Sequence, residues 1–70
     1  MEKVIVKTQE QFEEVVKKMK EKEKCKCKVK KLDKDYKTVS LREIGMKKEK
    51  LICLELSTTG AITFEEFMKD

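Results

Sequence analysis

From Lys24 to Lys30 lysine fills every even position, and Cys25, Cys27 and Val29 fill the odd positions between them. Successive side chains of a β-strand point to opposite faces, so this period of two specifies an extended segment with one small apolar face and one cationic face. Any fold built from this chain must therefore contain a strand that is buried on one side and wet on the other.

The segments around it are patterned as clearly. Val4-Ile5-Val6 is a short β-branched run that suits a first strand. Thr8 with Gln11 three residues on makes a Thr-x-x-Gln capping box, and Phe12, Val15, Val16 and Met19 follow at helical spacing. Glu10, Glu13 and Glu14 precede Lys17, Lys18 and Lys20, the order that suits the helix dipole. After the Lys/Cys strand, Leu32-Asp33-Lys34-Asp35 reads as a turn, and a hairpin with a return strand from Tyr36 to about Glu43 is expected. Ser40-x-x-Glu43 also fits a capping box, which leaves a short helix as the competing reading; Gly45 weighs against it. Leu51 to Leu56 is nearly continuous in apolar residues and reads as a buried central strand. Ser57 to Gly60 is a turn, and Thr63-x-x-Glu66 with Phe64, Phe67 and Met68 predicts a short terminal helix, with pairing of Ala61 to Phe64 as an edge strand the alternative.

The expected fold is α+β, one small domain over residues 1 to 70 in the order β-α-β-β-β-α, with an antiparallel sheet and both helices on one face. Parity then assigns the open face Lys24, Lys26, Lys28, Lys30, Tyr36, Thr38, Ser40, Arg42 and Cys53. The positive charge is local: residues 17 to 34 hold ten lysines against three acids. High lysine and glutamate with no asparagine or histidine is also a composition biased as thermophilic chains are.

Function class is narrowed mainly by what is missing. Without histidine, and with the adjacent carboxylates Glu13-Glu14 and Glu65-Glu66 diverging by about 100° on a helix, no catalytic residues are proposed and an enzyme is not expected. Cys25-x-Cys27 lacks the spacing of a structural zinc site, and Cys53 falls on the other face by parity, so no metal and no cofactor are expected and the thiols read as reduced packing residues. If Cys53 does face outward it is the thiol most open to reaction. The apolar runs are too short for a signal peptide or membrane span, which predicts a cytoplasmic protein with no membrane contact.

The open basic face is the functional candidate. Lysines at alternate strand positions stand roughly 6.5 to 7 Å apart, a spacing compatible with successive phosphates. Lys24, Lys26, Lys28, Lys30 and Arg42 are therefore the candidate nucleic-acid contacts, with Tyr36 as the single stacking residue. An acidic protein surface met by the same lysines, as in an inhibitory module, is the second reading. Self-association into a homodimer is the third, since so small a core often needs a partner.

Overall fold

A computed structural model describes residues 3–33, 35–47 and 49–69. The elements are β1 (Lys3–Ile5), α1 (Gln9–Lys22), β2 (Cys25–Cys27), β3 (Thr38–Ile44), β4 (Glu49–Glu55) and α2 (Phe64–Lys69). The α+β class and the β-α-β-β-β-α order follow the sequence expectation.

Both helix starts are built as the sequence specifies. The Gln11 N–H donates to Thr8 Oγ1 at 3.1 Å, while Gln11 Oε1 accepts from the Lys7 N–H at 2.9 Å, one residue earlier than in the usual reciprocal box. The Glu66 N–H donates to Thr63 Oγ1 at 3.1 Å, which caps α2 in the same way. Ile62, just before α2, bridges Val4 in parallel, so the edge-strand alternative for this segment is realised at one residue.

The sheet order is β1-β3-β4-β2 and the sheet is mixed, which corrects the antiparallel sheet expected. β1 and β4 each pair antiparallel with β3, whereas β2 runs parallel to β4. The expected hairpin between β2 and β3 is therefore absent: β4 lies between them. A physical reason is visible in β4 itself, where Leu51, Ile52, Cys53 and Leu54 offer apolar side chains to both faces and so favour an interior position. The turn chemistry foreseen after β2 is present, with the Tyr36 N–H on Asp33 O and the Asp35 N–H on Asp33 Oδ1, but it closes a loop across the sheet end. The competing helix from Ser40 is not formed; β3 runs through Ile44, and Gly45 takes a φ of +76° in the turn that follows.

β1 and β2 run in the same direction at opposite edges, and α1 is the crossover between them. Its fourteen residues span about 21 Å, enough to cross four strands spaced about 4.8 Å apart. Phe12, Val15 and Met19 of α1 are buried against Val4, Val39, Leu41 and Ile52 of the sheet, and Phe67 of α2 closes the layer. Both helices thus lie on one face, as the single apolar stripe of each requires. Lys18 and Lys22 lay their Nζ atoms 5.1 and 5.3 Å from the centre of the Phe67 ring, and Lys18 also donates to Phe67 O at 2.5 Å.

Candidate nucleic-acid interface

The sheet face away from the helices can be read in rows from the register. Ile5, Thr38 and Glu55 form one row; Lys3, Ser40 and Cys53 the next; Arg42, Leu51 and Lys26 the third; Ile44 and Glu49 the last. Lys26, Thr38, Ser40, Arg42 and Cys53 therefore share a face as parity required. Thr38 and Ser40 are nonetheless buried on it. Thr38 Oγ1 donates toward Glu55 O and Ser57 O, each at 3.0 Å, tying β3 to the end of β4.

Glu55 changes the electrostatics of this face. Its carboxylate pairs with Arg42 and lies 3.9 Å from Lys3 Nζ, so one acid joins cations from β3 and β1. The Ser40 hydroxyl beside it acts most strongly, and with Arg42 and then Lys3 it holds the Glu55 carboxyl below the ordinary carboxylate range despite the opposing effect of burial. Ser40 Oγ is buried near Glu55 and makes no hydrogen bond of ordinary geometry. A depressed folded pKa stabilises the fold above the unfolded value and loses that contribution as pH falls through the folded one. Glu55→Gln is accordingly expected to lower stability at neutral pH by about 1 kcal/mol. It should also flatten the fall in melting temperature between pH 5 and pH 3. Thermal denaturation followed by circular dichroism reads both; an unchanged acid limb would remove Glu55 from this role.

The sequence-derived lysines separate in space. Lys24 and Lys26 line a hollow at the end of the sheet where β2 and β4 begin, together with Cys25, Glu49, Lys50 and Lys20. Lys20 comes from the last turns of α1, which the crossover delivers to β2. Lys50 pairs with Glu23 at 2.6 Å, and the hydrogen bond to that carboxylate raises the Lys50 pKa. The Cys25 thiol is pushed up by burial, more than Lys20 draws it down, so it remains protonated at neutral pH.

Lys28 is exposed and directly follows β2, whose last residue is Cys27. Lys30 leaves the face to which parity assigned it and lines a groove with Glu13, Val16 and Lys17 of α1. The cause is Gln9, whose side-chain amide donates to Lys30 O at 3.2 Å and accepts from the Leu32 N–H at 2.7 Å. Those two bonds hold the segment after β2 against the first turn of α1. Tyr36 lies at the opposite end of β4 from Lys50, in a shallow hollow with Arg42, Cys53, Glu55 and Leu56.

The structure therefore joins Lys24 and Lys26 into one cluster, removes Lys30 from it and sets Tyr36 and Arg42 apart from it. Sequence reasoning did not single out Lys20 or Lys50. Lys20 lies within the lysine-rich block of residues 17 to 34, and only the placement of α1 shows that it turns toward β2. Among the described residues no cluster of three or more histidine, cysteine, aspartate or glutamate side chains could hold a metal ion, and no helix is long and apolar enough to cross a membrane. No protein-family model matches this chain, and no curated protein or solved structure matches it.

Proposed function

We propose that this chain is a non-enzymatic binding protein that holds nucleic acid by its phosphates, through the lysines at the β2 end of the sheet. The observation that carries this reading is the convergence of Lys20, Lys24 and Lys26, beside Lys50, on one hollow whose described lining contains a single acid, Glu49; Lys50 is held by Glu23, which leaves three lysines for phosphates. Lysine presents a compact charge with rotatable donors, suited to phosphate oxygens rather than to bidentate recognition of base edges. Binding of this kind is weakly selective for sequence and strongly dependent on salt.

The reading has a quantitative signature. With about three phosphate contacts, the logarithm of the association constant for duplex DNA should fall against the logarithm of salt concentration with a slope of about −3. Fluorescence anisotropy of a labelled oligonucleotide, titrated at several salt concentrations, measures that slope. A slope near zero, or no binding at about 50 mM salt, overturns the reading.

The outer edge of β2 favours a second reading. Among the described residues β2 pairs with β4 alone, whereas the outer edge of β1 is bonded to Ile62. An extended acidic segment of a protein partner could add to β2, its backbone completing the ladder and its carboxylates meeting the lysines. Recovery of one stoichiometric acidic protein after nuclease treatment, abolished by a proline at Lys26, supports this alternative over the first.

A further inference from the structure

The β3–β4 hairpin ends in an apolar tip that the described residues leave open to solvent at Met46. Met46 is fully exposed and Ile44 is 47% exposed, in a chain whose small core needs every apolar side chain it can bury. The tip is not remote from the lysines. Glu49 borders both the lysine hollow and the hollow formed by Ile44, Gly45, Met46 and Lys47, so the apolar tip and the cationic cluster adjoin at one end of the molecule. One row inward on the open face, Leu51 lies between Arg42 and Lys26.

Resting on the phosphate-binding reading above, we infer that the ligand is a nucleic-acid duplex and that Met46, supported by Ile44, wedges into its base stack. Methionine and isoleucine are among the apolar side chains that proteins insert between base steps, at a cost of a few kcal/mol per step that surrounding contacts offset. Lys20, Lys24, Lys26 and Lys47 supply those contacts on the flanking phosphates. A single strand offers the tip less, because its bases are held by aromatic platforms, and Tyr36 lies at the other end of β4. An aliphatic wedge acts by displacing one stacked base from the next, and a duplex provides such a step at every position. The flexible pyrimidine–purine steps are the ones it should select.

The test uses the full chain and a short duplex carrying 2-aminopurine at a TA step, with anisotropy reporting binding and 2-aminopurine fluorescence reporting unstacking. The unsubstituted protein is expected to raise both. Met46→Ala is expected to bind within about tenfold of it while losing most of the fluorescence rise. Met46→Leu, which keeps the apolar volume, is expected to restore that rise. Anisotropy without any change in 2-aminopurine overturns the wedge and leaves the phosphate reading standing. No anisotropy change at low salt overturns the phosphate reading and the wedge with it. Sedimentation with phosphatidylserine vesicles that depends on Met46, without duplex unstacking, assigns the tip to lipid and overturns the wedge.

Discussion

Phe67→Ala is expected to leave the chain largely unfolded at physiological temperature. Phe67 is 1% exposed and is the buried residue of α2, a helix of only six residues that has little stability of its own. Truncating a buried phenylalanine costs about 3 to 5 kcal/mol, and a chain of this length has a total stability on the order of 4 to 10 kcal/mol. The loss also strips the ring from beneath Lys18 and Lys22, leaving two lysines over a cavity. Urea denaturation monitored by circular dichroism should show the midpoint falling by more than half. Phe67→Leu, which keeps most of the volume, should retain a folded baseline with a smaller loss. Equal losses in the two variants would mean that α2 is not part of the cooperative unit.

The second large effect concerns binding rather than folding. If the lysine hollow holds phosphates, Lys20→Gln, Lys24→Gln and Lys26→Gln together should weaken duplex binding about 100-fold at low salt and reduce the salt slope by about 3. These lysines make no ion pair with any carboxylate among the described residues, and they stand close to one another. Removing their charge relieves repulsion, which offsets the loss of Lys20 at the carboxyl end of α1, so the triple variant is expected to be about as stable as its parent. That separation makes the experiment decisive: lost binding with an unchanged or raised melting temperature cannot be attributed to unfolding. Full retention of binding would move the interface elsewhere. Arg42→Gln serves as the matched control, because Arg42 is already engaged by Glu55 and should contribute little to the slope.

What was legible in the sequence was whatever depends on local periodicity and short-range hydrogen bonding. The caps at Thr8 and Thr63, the stripe of α1, the alternation at Cys25 to Cys27 and the interior character of β4 all follow from residues within a few positions of one another. Strand order was not legible. Nothing in the alternation of β2 says whether it pairs antiparallel with the next strand or parallel with the one after. The choice rests on β4 having two apolar faces to cover, which is a property of the assembled sheet. The same limit applied to charge. Parity placed Arg42 on the open face correctly, but Glu55 meets it only through the β3–β4 register. Lys30 was misplaced for a related reason: the alternation continues to Lys30, while the sheet pairing ends at Cys27 and Gln9 takes over the chain.

The crossover from β1 to β2 has a consequence for how the chain reaches this structure. The β3–β4 hairpin joins only residues near in sequence, from Ile44 with Glu49 out to Thr38 with Glu55. Such a ribbon forms in about 1 to 10 μs. The two outer strands must then arrive on opposite sides of it, and α1 ropes them together. The pairings of β1 with β3 and of β2 with β4 are long-range in sequence, and contacts of that kind carry a larger loop-closure cost than the hairpin's. The lysines of β2 are thus mounted on a three-residue ladder beside a ribbon of seven paired rungs, and amide hydrogen exchange is expected to be faster at Cys25 to Cys27 than in the ribbon.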